Sequence, residues 1–179
     1  MRLFLAVEVP EKVKSQLDGQ LIEIRKQYPE FNWVTPENFH ITVHFFGEIK
    51  NTDSVKQRIK DLIYDQTEFH LYSTDVDVIA NEKLLMYINF RREKKLESLA
   101  GKMTRSFDFM NAGRKYVPHL TIGRGRKSSK QQYFVLKKRA EKIPVDISFR
   151  VGKVVLYESI ITHKRPVYKK IAVFPLLKN

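Results

Sequence analysis

Two short stretches of this 179-residue chain place a threonine two residues after a histidine: His40-Ile41-Thr42 and His119-Leu120-Thr121. Imidazole is the side chain suited to moving protons near neutral pH. A threonine hydroxyl can donate to a phosphate oxygen without adding charge. In a strand each residue advances about 3.3 Å and side chains alternate, so each histidine shares a face with its threonine, about 6.6 Å away. Ile41 and Val43, like Leu120 and Ile122, then point the other way, toward a core. Two such strands meeting across a cleft would hold a phosphate between two histidines. One could take a proton from attacking water while the other protonates the leaving oxygen, on the opposite sides that in-line displacement needs. Arg124, five residues past His119 and at or just beyond the strand end, could neutralise the equatorial oxygens. A single His-x-Thr reads most simply as a half-buried strand with a polar face. Two arise by chance in only about 2% of such chains.

A metal site competes for the same residues. His40 and His44 have the i, i+4 spacing of two helical ligands. However, Ile41-Thr42-Val43 is β-branched throughout and follows Pro36, which favours a strand. There the two backbones stand about 13 Å apart, too far to share one ion. His44 is expected on the cleft or the surface, and His70 and His163 have no companion that singles them out.

The elements that must position these residues follow from the same patterns. Residues 2–8 alternate as a strand, and Pro10 opens a helix to about residue 27 that buries Val13, Leu17, Leu21, Ile22 and Ile24. Residues 31–34 are extended, Thr35-Pro36-Glu37-Asn38 turns, and residues 39–46 form the first histidine strand, ended by Gly47. Thr52 or Asp53 caps a second helix through about residue 64. A strand pair covers 69–79 and 84–90, and a third helix runs from Arg91 to about 109, ending near Asn111-Ala112-Gly113. The second histidine strand covers 119–124, and a basic loop leads to a helix over about 131–142. Strands over 145–157, with a break at Gly152, and 167–174 close the chain. The pattern predicts an α+β fold with largely antiparallel pairing.

No low-complexity linker divides the chain, so one unit spanning 1–179 is expected. Within it, Trp33-Val34 through His40-Ile41-Thr42-Val43 echoes Tyr116-Val117-Pro118-His119-Leu120-Thr121-Ile122. That echo suggests one module used twice, in two lobes related by an approximate two-fold.

Composition bounds the setting. There are no cysteines, which excludes disulfides and thiolate metal sites and fits a reducing compartment. The opening apolar run is five residues long and no 18-residue apolar stretch follows, so a cytosolic protein is expected. The 33 basic residues against 20 acidic ones give a net charge of +13, which favours a polyanionic partner such as RNA. A membrane surface fits less well, because no basic helix carries a bulky apolar face. No oligomer interface is legible, and a monomer is expected.

At these residues the chain resembles the two-histidine phosphoesterase superfamily, and within it the RNA 2′,3′-cyclic phosphodiesterases once named 2′-5′ RNA ligases. The resemblance rests on the opening MRLFLAVEVP, on HITV with Phe45-Phe46-Gly47, on HLTIGR, and on a C-terminal hairpin from Leu156-Tyr157-Glu158-Ser159 through Pro166-Val167-Tyr168 to Phe174-Pro175-Leu176. It implies a bilobal fold with two antiparallel sheets facing a central cleft, helices outside and no cofactor. The implied activity opens a terminal 2′,3′-cyclic phosphate on RNA ends or cyclic nucleotides to a 2′-phosphomonoester. His40 would be the proton donor and His119 the acceptor, with Thr42, Thr121 and Arg124 on the phosphate. Phe45 matches an aromatic associated with the base. Strict alternation from His40 turns Phe45 to the far face and Phe46 to the near one, so either ring could stack, and core packing is the ordinary fate of both. Lys115, Arg126, Lys127 and Lys130 could receive the RNA strand or be ordinary solvated residues. Joining RNA by a 2′-5′ linkage, or cleaving 2′-5′ oligonucleotides, would use the same histidines. A non-catalytic RNA-binding protein would need neither motif intact.

Overall fold

The apolar alternation of the N-terminus produces β1 (Arg2–Glu8), a strand buried on both faces. Leu3, Leu5 and Val7 enter the main core, while Phe4 and Ala6 face the other way and pack with Val155 and Tyr157. In the computed structural model, which describes residues 1–108, 113, 115–162 and 165–178, β1 lies between β3 (His40–Glu48) and β8 (Lys153–Ile161). β9 (Pro166–Pro175) completes that half. The other half consists of β6 (His119–Gly125), β5 (Leu84–Phe90), β4 (Phe69–Ala80) and β7 (Ser148–Val151), and the short β2 (Asn32–Trp33) is added on β6. The order is β7-β4-β5-β6-β3-β1-β8-β9, with antiparallel neighbours throughout. The two expected sheets are thus two halves of one, joined by the single pair Ile41–Leu120.

The helices are α1 (Glu11–Gln20), α2 (Ile22–Gln27), α3 (Thr52–Ile63), α4 (Lys94–Phe107) and α5 (Lys130–Ala140). α4 packs on β3 and α5 on β4. The first predicted helix is broken at Leu21 (φ −91°, ψ −3°), which turns the chain. Leu21 and Ile24 stay buried, and Ile22, expected in the core, is left 47% exposed. Asn51, rather than Thr52 or Asp53, caps α3 by accepting from the Ser54 N–H at 3.1 Å. α4 starts at Lys94 instead of Arg91, because Glu93 caps it through the Lys95 N–H. Its predicted stop around Asn111 and Ala112 lies outside the described residues, as does His163. The break at Gly152 does separate β7 from β8.

The histidine strands carry extra residues at matched positions, and β3 has a second one at Phe46. Along β1, Val7 faces Ile41 and Ala6 faces Thr42, but the next pairs are Leu5–His44 and Phe4–Phe45, which leaves Val43 as a bulge. Along β5, Ile88 faces Leu120 and Tyr87 faces Thr121, followed by Met86–Gly123 and Leu85–Arg124, which leaves Ile122 as a bulge. The bulges at Val43 and Ile122 fall three residues past the histidine and reset the alternation of side chains. Arg124 thus lies within its strand, flanked by Gly123 and Gly125. A Cβ on Gly125 would stand 2.7 Å from the Phe31 ring, and one on Gly123 3.0 Å from Trp33, so the two glycines let β2 and its aromatics lie flat on β6.

Candidate active site

Each histidine is held by the carbonyl two residues before it. His40 Nδ1–H donates to Asn38 O at 2.7 Å, and His119 Nδ1–H donates to Val117 O at 3.0 Å. Because a carbonyl only accepts, the neutral rings carry their proton on Nδ1, and Nε2 remains the nitrogen available to a ligand. The Asn38 side chain donates to Pro166 O at 3.0 Å, which fastens the turn before His40 to β9. The Tyr116 hydroxyl donates to Thr42 O at 2.8 Å, which ties the approach to β6 onto β3.

His40, Thr42, His119, Thr121 and Arg124 line one cleft of about 560 Å³, with Phe45, Phe4, Tyr168 and Arg2 among its other walls. The matched bulges keep His40, Thr42 and Phe45 on one side and His119, Thr121 and Arg124 on the other. His40 packs between Phe4 (ring centroids 5.0 Å) and Tyr168 (5.1 Å, edge-on). That burial, with the Arg124 guanidinium and His119 adding, depresses its pKa to about 4 against the opposing bond to Asn38. Glu8, opposite His40 on β1, is penalised by burial, yet Lys153 (2.8 Å) and Lys170 outweigh that penalty and hold it at about 2.

The five core predictions for the site, the two histidines, Thr42, Thr121 and Arg124, fall together. Phe45 does not join the core: the Val43 bulge returns it to the cleft, 69% exposed, and turns Phe46 against His44 and Phe107. The same bulge corrects the surface reading of His44, which is 8% exposed on the opposite face of β3 from His40. That facing also removes the His40–His44 pair as a shared set of ligands. The basic residues divide: Lys115 lines the same cavity as His119, whereas Arg126 and Lys127 line a separate depression with Tyr28 and Phe31. Sequence reasoning missed Phe4, Tyr168 and Tyr87, whose ring lies edge-on to His119 at 5.6 Å. Their strands show the alternation that could have marked them, but not which strand lies beside a histidine.

Two half-sheets meeting at their histidine strands, with the two His-x-Thr faces in one cleft, define the two-histidine phosphoesterase fold. The family model of the 2′-5′ RNA ligase superfamily matches residues 13–160, and the chain belongs to that superfamily. A curated relative from Methanocaldococcus jannaschii, named RNA 2′,3′-cyclic phosphodiesterase, is 32% identical over 96% of this chain and 98% of its own. Among solved structures, a protein from Thermus thermophilus superposes with a TM-score of 0.76 at 20% identity, covering 98% of both chains. E. coli LigT complexed with 3′-AMP superposes with a TM-score of 0.73 at 22% identity, covering 98% of this chain and 97% of that one. No helix among the described residues is long and apolar enough to cross a membrane.

Proposed function

We propose that this protein is an RNA 2′,3′-cyclic phosphodiesterase that opens the terminal cyclic phosphate to a 2′-phosphomonoester. The observation that carries the reading is the matched tether: two imidazoles in one cleft, each bonded through Nδ1 to the carbonyl two residues before it, each leaving Nε2 free. The M. jannaschii relative bears that activity's name and aligns along almost its whole length, which supports the substrate class.

In this reading the cyclic phosphate lies between His40 and His119. His119 Nε2 takes a proton from water as the water oxygen bonds to phosphorus. The P–O3′ bond breaks, and His40, which enters this step as the imidazolium with its second proton on Nε2, delivers that proton to O3′. Thr42 and Thr121 donate to the non-bridging oxygens, Arg124 offsets their charge, and Phe45 offers its face to a base. No metal takes part, and both halves of the chain act as one catalytic unit. The protein works as a cytoplasmic monomer on RNA 3′ ends or 2′,3′-cyclic nucleotides.

A second reading exchanges the two roles, and one observation favours it: a pKa of about 4 leaves His40 neutral in the free protein, as a base must be. The pH dependence of kcat/KM in the two alanine variants separates them, since loss of the base removes the acidic limb and loss of the acid removes the basic limb. The primary test is incubation of the purified protein with a cyclic-phosphate-ended oligoribonucleotide in excess EDTA, followed by chromatographic separation of the products. A 2′-phosphate is expected. A 3′-phosphate sinks the O3′ leaving group, and loss of activity restored by added metal sinks the metal-free mechanism.

A further inference from the structure

The two histidine strands are not equally covered. Past Thr121, the side of β6 away from β5 is taken by β2: Asn32 and Trp33 pair with Arg124 and Gly123, and the Val34 N–H donates to Ile122 O at 2.9 Å. Past Thr42, the corresponding side of β3 carries no strand among the described residues. The approach there is made by a side chain, the Tyr116 hydroxyl on Thr42 O. This broken symmetry leaves a slot of about 600 Å³ between β3, the far ends of β4 and β5, and the end of α4. The slot continues the phosphate cleft, since Thr42, Phe45, Leu85 and His119 line both.

The chemistry of the slot fits a nucleobase better than a phosphate. Ile79, Leu85, Val117 and the rings of Phe45 and Tyr87 give it flat apolar walls. His44, which also lines it, is 8% exposed, and its Nε2 has no hydrogen-bond partner among the described residues. Among the described residues Lys115 is the exposed cation on the wall, where a backbone phosphate could meet it.

We propose that this slot is a subsite for a second nucleotide of the same RNA strand, so that the protein reads a two-nucleotide end rather than the cyclic nucleotide alone. The inference rests on the cyclic phosphodiesterase reading and names the substrate class it prefers. The phosphate cleft holds one nucleotide, the slot holds the next, and Phe45 forms the wall between them.

The experiment compares kcat/KM for a 2′,3′-cyclic mononucleotide with that for a dinucleotide ending in the same cyclic nucleotide. Wild type should favour the dinucleotide by about tenfold or more, the scale of one stacked base. Ile79→Trp, which fills the slot, should bring the ratio down to about two or less. Should that variant fail to fold, judged by circular dichroism and melting temperature, Lys115→Ala at its exposed position should still lower the ratio by about threefold. A wild-type ratio near one overturns the proposal. So does an Ile79→Trp protein, or in its absence a Lys115→Ala protein, that slows on both substrates alike and keeps the ratio. Failure to open either substrate refutes the phosphodiesterase reading itself, and this outcome is distinct from a ratio of one.

Discussion

Phe45 and Arg124 occupy the same step of two related strands: each lies five residues past its histidine and is turned into the cleft by a one-residue bulge. The partner strand supplies an apolar neighbour to each, Phe4 to Phe45 and Leu85 to Arg124. One lobe thus contributes a ring and the other a cation. The cleft thereby presents two different ends to a substrate that is itself asymmetric.

The histidines are expected to be indispensable. His40→Ala and His119→Ala should each lower turnover on a cyclic-phosphate-ended oligoribonucleotide by about 10²-fold or more, the scale of a lost general acid or base. Steady-state rates, measured beside circular dichroism spectra that match wild type, check this. A rate within a few-fold of wild type for either variant removes that residue from the chemistry.

His40 should titrate near pH 4 in the folded protein, because its aromatic surroundings exclude water and Arg124 lies close by. In the unfolded chain it should titrate near 6.5. The unfolded state therefore binds more protons between those values, and stability should fall as pH drops from about 6.5 through 4. Following the His40 Cε1–H signal by NMR gives the midpoint directly. Arg124→Ala should raise the midpoint without restoring the ordinary value, and a wild-type midpoint near 6.5 contradicts the expectation.

Glu8 should give the fold a second, more acidic sensitivity. Lys153 and Lys170 hold its carboxyl at about 2, below the ordinary range, so its contribution is complete above about pH 4.5 and disappears as pH falls through 2. Urea unfolding of wild type and Glu8→Gln at pH 7 and pH 2 tests this. The stability gap between the two proteins should be present at pH 7 and largely closed at pH 2, and an equal gap at both pH values would argue against it.

Gly125→Ala should destabilise the protein by about 1–3 kcal/mol, the usual cost of forcing an extra methyl into packed rings. Equilibrium urea unfolding measures the loss, and Phe31→Leu in the same background should recover part of it. A change below about 0.5 kcal/mol would mean that Phe31 moves aside freely.

The parts of this site that were legible in the sequence are those governed by local periodicity. His40 with Thr42 and His119 with Thr121 share faces because alternation holds over three residues. It fails at the next step: the bulges at Val43 and Ile122 are set by hydrogen bonding to β1 and β5, so Phe45 turns to the cleft face and His44 to the other, the reverse of strict alternation, which alone could not decide between Phe45 and Phe46. Tyr168 and Phe4 were missed for a related reason. They reach His40 only because β1 and β9 fold beside β3, a proximity set by pairing over long sequence separations. The break at Leu21 follows Gly19 by two residues, a weak helix-ending signal that the continuing apolar spacing of Leu21 and Ile24 masks.

The single rung between Ile41 and Leu120 gives the cleft a particular mechanical character. One backbone pair cannot fix the angle between two half-sheets, so the gauge of the site, the distance from one imidazole to the other, is set by side chains wedged beneath the seam. Ile41 and Leu120 are themselves completely buried there. Trimming either to alanine would leave every cleft-lining group chemically intact, but it would cost about 2–5 kcal/mol of core packing and loosen what holds the jaws apart.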